Sequence, residues 1–219
     1  MARTDLNQLS PAQRQDLVTQ MLTFINDDVV DDHIHINHSG ADLLEGHRAY
    51  IGRMETHLQQ NGGGALVPLP KWNPANPIPA EFNVVKSADD GTVLPPLENL
   101  NPNMPLPSAF HSPALCSFQS AANIGNGLNG WHGSVHVTIG GTMRNSVIAP
   151  AAPIFWCWHA FLDDVYAAWQ ACPNHPAPMD AFMLDSDALS SQSMPSGKVT
   201  RRLYAEWADW SEKSLKLQK

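Results

Sequence analysis

Apolar residues recur at helical spacing in several separate stretches of the chain. Leu17, Met21, Leu22 and Ile25 fall three or four positions apart, which marks one face of a helix. Ser10-Pro11 just upstream offers a capping side chain and a proline suited to the first helical turn. A helix is therefore predicted from about residue 11 into the low thirties, with a break near Asn26. Leu43, Leu44, His47, Ile51, Met54 and Leu58 line one side of a second helix over about 41–60. The turn Asn37-His38-Ser39-Gly40 leads into it, and Asn61-Gly62-Gly63-Gly64 ends it. A third helix is expected over about 129–138, stopping at Gly140-Gly141. A fourth starts after Pro153 and runs to about Ala171, with Phe155, Trp158, Phe161, Leu162, Val165 and Trp169 forming a broad buried face. A further amphipathic helix is expected over about 198–217.

The pattern fails between residues 65 and 130. Eleven prolines lie from Pro68 to Pro113, and proline removes a helical N–H and clashes with the preceding turn. This stretch is expected to be extended, ordered loop lying on the domain, with a short helix near 113–124. The fold class is thus mainly α: a four-helix bundle with long Pro-rich irregular loops, as a single domain over 1–219.

Composition narrows the function classes. Hydrophobic residues make up 43% of the 219, enough for a sizeable core, and charged residues only 16%. The net charge of −8, with Arg201-Arg202 the only basic pair, speaks against nucleic acid as a partner, which calls for a basic face. No run of apolar residues is long enough to span a membrane. The N-terminus lacks the apolar stretch of a secretory signal, so a cytoplasmic location is expected. Three cysteines, Cys116, Cys157 and Cys172, follow no metal-binding spacing, and an odd number favours buried thiols over a disulfide framework.

Histidine is the unusual residue. Of ten, eight fall within residues 33–57 and 132–159. His132 and His136 sit at i and i+4, which puts both imidazoles on one helix face, and His159 lies on the next helix. Such a pair alone is as easily two surface histidines. Here it sits in the apolar stretch Val135-His136-Val137-Thr138-Ile139, and a buried imidazole needs a partner. His47 lies on the apolar side of its helix, with His38 on the loop that enters it and His33 and His35 just upstream. One of the latter two with His38 and His47 would form a second three-imidazole site. Three neutral imidazoles suit copper, zinc, iron or nickel.

Three segments carry a family resemblance. His47-Arg48-Ala49-Tyr50-Ile51-Gly52-Arg53-Met54-Glu55 resembles the helix of the first copper half of tyrosinases. His132-Gly133-Ser134-Val135-His136-Val137-Thr138-Ile139-Gly140-Gly141 resembles their H-N-x-x-H-x-x-[IV]-G-G stretch. Ala149 to Asp163, with Val165-Tyr166-Ala167-Ala168-Trp169-Gln170 after it, resembles their D-P-x-F-x-x-H-H-A-x-x-D segment. The chain is thus similar to the type 3 binuclear copper proteins: tyrosinases, catechol oxidases, o-aminophenol oxidases and hemocyanins. The resemblance divides the chain into a first copper half over about 11–60, the loops over 65–130, and a second copper half over 131–171.

The resemblance implies two copper ions. His132, His136 and His159 match the ligands of the second, and His38 and His47 those of the first. His33 is preferred over His35 as the sixth ligand because it ends its helix. Trp158 replaces the first histidine of the family's H-H pair, which is not the ligand there. Phe155 matches an aromatic packed on a ligand ring. Asp163 matches the acidic residue that ends the motif, which implies a role in orienting the site from behind the ligands. His57 is expected to be exposed, and His111 and His175 are given no role. No cysteine lies near His33–His38, so the thioether of some relatives is not expected.

Other departures concern the substrate. Gly133 stands where tyrosinases commonly carry Asn, and Asn123–Gly130 contains no acid, which counts against monophenol hydroxylation. Val137 follows the second ligand of its pair, and Ser146 falls near the pocket mouth. The implied activity is O2-dependent oxidation of o-diphenols or o-aminophenols to quinones or quinone imines. The alternative is hemocyanin-like oxygen binding, although the companion domains of those carriers are lacking. The implied partners are a small phenolic or aminophenolic substrate and O2, with room for a homo-oligomer and a copper-delivery partner.

Overall fold

The computed structural model describes residues 3–173. The helix expected over 198–217, the pair Arg201-Arg202 and His175 lie outside the described residues. Among the described residues five α-helices carry the fold: α1 (Pro11–Phe24), α2 (Asp27–Asp32), α3 (Asp42–Gln60), α4 (Ala121–Ile139) and α5 (Pro153–Gln170). Helix α3 packs against both α4 and α5, and α1 against α3 and α5. No helix among the described residues is long and apolar enough to cross a membrane.

Local chemistry sets the helix ends. Ser10 accepts from the Gln13 amide while the Gln13 side chain accepts from the Ser10 amide, a reciprocal cap worth about 1 kcal/mol. The break predicted near Asn26 is real: the Asn26 side chain caps α2 by accepting from the Val29 amide at 2.9 Å. A tight turn over His33–His35 follows at once. At the far end of α3, Gly62 takes a φ of +84°, so the Gly63 amide can turn back to the Leu58 carbonyl at 2.7 Å.

Helix α5 is the central element. Every residue from Pro153 to Asp163 is buried, which accounts for its nearly unbroken apolar sequence. The Pro-rich stretch wraps it as ordered loop, as expected. The Trp72 amide donates to the Cys157 carbonyl and the Lys86 amide to the Ala151 carbonyl, at 2.8 and 2.9 Å. Trp72 is itself fully buried.

Two expectations need correction. Helix α4 begins at Ala121, not near 129, and the short helix expected near 113–124 is only a 3-10 turn at Ala114–Ser117 followed by the start of α4. Gly125 and Gly127 read as loop, since each costs about 1 kcal/mol in a helix against alanine. Burial of Ile124, Leu128, Val135 and Ile139 outweighs this, at about 1.5–3 kcal/mol for each side chain. Gly125 has a second role: a Cβ there would lie 1.8 Å from the Gly40 carbonyl oxygen. Its bare backbone lets the loop that carries His38 lie directly on α4.

The cysteines are the second correction. Cys116 and Cys172 form a disulfide, with Cα atoms 5.5 Å apart, and only Cys157 is a free, buried thiol. An odd count excludes a fully paired set but not one bridge. The last turn of α5 returns to the 114–117 turn, where the Trp169 indole also donates to the Phe118 carbonyl at 2.9 Å.

Candidate metal centre

Six histidines converge where α3, α4 and α5 meet. His33 comes from the turn after α2, His38 from the loop before α3, His47 from α3, His132 and His136 from successive turns of α4, and His159 from α5. All are buried except the half-buried His38. His35 is exposed and outside the cluster. His57 is half-buried rather than exposed, in contact with Thr23 and Asn61. His111 is exposed, beside the Leu106 carbonyl.

Backbone carbonyls orient four of the rings. The Nδ1 of His33 meets the Ser146 carbonyl at 2.7 Å, that of His47 the Leu43 carbonyl at 2.7 Å, that of His136 the Met143 carbonyl at 3.0 Å, and that of His159 the Phe155 carbonyl at 2.8 Å. A carbonyl only accepts, so each ring carries its proton on Nδ1. The Nε2 lone pairs are left facing inward.

The Nε2 atoms of these four rings and of His132 face one another. The Nε2 atoms of His33 and His47 are 3.0 Å apart, those of His132 and His159 3.0 Å, and those of His136 and His132 3.1 Å. Between His33 and His47, both protonated on Nδ1, only an added proton could make a hydrogen bond, and burial opposes it. Desolvation, the largest cause throughout, pushes His33 down to about 3 and His136 to about 4. It holds His47, His132 and His159 well below the usual imidazole range. His38 is lowered by the same cause. What relieves unprotonated nitrogens about 3 Å apart is a cation between them, and metal–imidazole bonds of about 2 Å give that separation.

The potential ligand atoms form two close groups, His33–His38–His47 and His47–His132–His159, each within 4.8 Å throughout. The first is the set expected from the sequence. In the second, His47 lies as near as the expected members, and His136 joins through His132. Both groups are histidine alone, a donor set suited to copper.

The flanking residues complete the site. The Phe155 ring lies 4.0 Å from His159 and 4.9 Å from His33, between centroids, so one aromatic packs on rings of both groups. Gly133 faces open space: a Cβ added there would meet nothing within 4 Å. Val137 is 55% exposed, one residue past His136. The Ser146 side chain is exposed, and it is the backbone carbonyl that reaches His33, a role no sequence pattern announces. Asp163 is buried and takes two arginines, Arg48 through one oxygen and Arg3 through the other. Arg48 also stacks over the Tyr166 ring at 4.5 Å. The Tyr166 hydroxyl donates to Glu45, and burial with that contact pushes its pKa up to about 12.

This is a helical protein with a buried, histidine-only centre shaped for two metal ions. Residues 95–172 match the family described as the common central domain of tyrosinase. A tyrosinase of Streptomyces lincolnensis is 41% identical over 61 residues, covering 26% of this chain and 22% of that protein. A tyrosinase of Streptomyces antibioticus is 42% identical over 57 residues, covering 24% and 20%. That part of the chain is similar to the central domain of tyrosinase, and the two triads fit the binuclear copper centre of that family. The matched stretch spans only about a fifth of the length of these curated relatives.

Proposed function

We propose that the chain is a copper-dependent oxidoreductase that uses O2 to oxidise o-diphenols or o-aminophenols. His33, His38 and His47 hold one copper ion in this reading, and His132, His136 and His159 the other. The observation that carries it is the convergence of six imidazoles, kept neutral by burial, with the Nε2 atoms of five of them about 3 Å from a neighbour's. Two bound copper ions supply two-electron redox chemistry with O2.

The chain supplies geometry and dryness. Four carbonyls fix the tautomers of His33, His47, His136 and His159, so none of these rings must reorient to present its lone pair. Phe155 closes the inner wall and excludes water from His33 and His159. On the outer side, half-buried His38, open Gly133 and exposed Val137 leave room for a flat ring to approach. Gly133 offers no side chain to orient a water for deprotonating a monophenol, which favours substrates that already carry two oxidisable groups.

The test is O2 uptake by the copper-loaded chain with catechol, o-aminophenol and tyrosine. Sustained uptake with the first two, well above that with tyrosine, is expected. Equal rates with catechol and tyrosine would refute the argument from Gly133. Reversible oxygen binding without turnover of any of the three would favour oxygen carriage instead.

A further inference from the structure

We infer that Arg3 is a positioning residue that ties the helix of His47 to the helix of His159 and so fixes the spacing of the two metal sites; this rests on the two-copper reading above. The Arg3 guanidinium donates through Nε and Nη2 to one oxygen of Asp163, at 3.1 and 2.8 Å. Its Nη1 donates to Glu55 at 2.5 Å and to the Leu69 carbonyl at 3.0 Å. Glu55 lies on α3, two turns beyond His47, and Asp163 lies on α5, one turn beyond His159. One planar group therefore grips both helices that bring the His47 and His159 rings together, 4.1 Å apart between centroids.

The grip is buried and anchored. The Arg3 side chain is 9% exposed and that of Asp163 10%. Two carboxylates outweigh the desolvation of the guanidinium, and the Arg3 pKa is raised. The other Asp163 oxygen holds Arg48, the residue next to His47, so Asp163 is pulled toward α3 from both sides. The backbone beside Arg3 is pinned as well: the Lys71 amide donates to the Thr4 carbonyl at 2.8 Å and the Leu6 amide to the Lys71 carbonyl at 2.9 Å. Lys71 pairs in turn with Asp164 on α5. A segment far from every histidine in sequence thus ends in a fork placed behind two of them.

Lysine can keep the charge of Arg3 but not its planar fork, so the two functions are separable. The test compares the copper-loaded full chain with Arg3→Gln, Arg3→Lys and Arg14→Gln, each brought to the Cu(II) state. The readouts are copper per chain and the electron paramagnetic resonance signal, which is suppressed where two Cu(II) ions are coupled through a shared bridge. The unaltered chain is expected to bind two coppers with little signal; failure of that result overturns the two-copper reading and this inference with it. Arg3→Gln is expected to raise the signal per copper several-fold, with Arg3→Lys intermediate. Arg14→Gln breaks a comparable ion pair to Glu81 away from the centre and is expected to leave the signal unchanged. A silent Arg3→Gln centre, or the same signal in Arg14→Gln, would overturn the role of Arg3 while leaving the two-copper reading intact. If Arg3→Gln does not fold, Arg3→Lys against Arg14→Gln carries the same comparison.

Discussion

The imidazoles of His47 and His159 stack face to face, 4.1 Å between ring centroids and 15° between planes. They come from different helices and from different halves of the expected ligand set. The stack is possible because neither ring is charged: burial lowers both well below the usual imidazole range. Two imidazolium rings at this distance would repel, so the geometry of the centre and its protonation state are one constraint.

That constraint predicts an acid-sensitive metal-free protein. Unfolded imidazoles titrate near 6.5, whereas in the fold His136 is pushed down to about 4 and His33 to about 3. Between these values the unfolded chain takes up protons that the folded chain refuses. Stability is therefore full above 6.5 and falls as pH drops, by about 1.4 kcal/mol per pH unit for each such histidine. Thermal unfolding of the metal-free chain at pH 7 and pH 5 checks this. A clearly lower Tm at pH 5 is expected; an equal Tm contradicts the depressed values.

The glycines of α4 predict opposite effects of one substitution. Gly125→Ala drives a Cβ into the Gly40 carbonyl and lifts the His38 loop from the helix. A loss of about 1–3 kcal/mol or more is expected from overpacking, with weakened metal binding at the first triad. Gly130→Ala meets nothing within 4 Å and should stabilise by up to about 1 kcal/mol through helix propensity. Denaturant unfolding of both variants is the check, and a neutral Gly125→Ala would contradict the close approach.

Much of this architecture is legible in the sequence because it rests on local pattern. The faces of α1, α3 and α5 follow from apolar spacing, and the i, i+4 pair of His132 and His136 follows from helical geometry. The start of α4 is hidden because its glycines serve packing rather than chain freedom, and only the Gly40 and Phe110 neighbours disclose that. The preference for His33 over His35 rests on its place at a helix end, and the structure buries the first and exposes the second. Carbonyl partners such as Ser146 and Met143, the Arg3 grip and the disulfide all join positions far apart in sequence. No periodicity encodes them.

The Cys116–Cys172 bridge gives a countable prediction. The native chain, denatured without reductant, should show one reactive thiol, that of Cys157; three would mean the bridge does not form. With its ends 56 residues apart, the bridge is worth about 4 kcal/mol by loop-closure entropy. Cys116→Ser should lower stability by about 2–4 kcal/mol in denaturant unfolding. The closed loop contains His132, His136 and His159, so looser metal binding at that triad should accompany the loss.

The central claim is that two sets of imidazoles hold two adjacent copper ions. Anomalous diffraction at the copper edge from crystals of the copper-loaded chain, with a His136→Ala crystal beside it, tests it most directly. Two peaks are predicted, one bounded by ring nitrogens of His33, His38 and His47 and the other by those of His132, His136 and His159, with the second weakened or lost in His136→Ala. A single peak, or two peaks away from those nitrogens, would contradict the account.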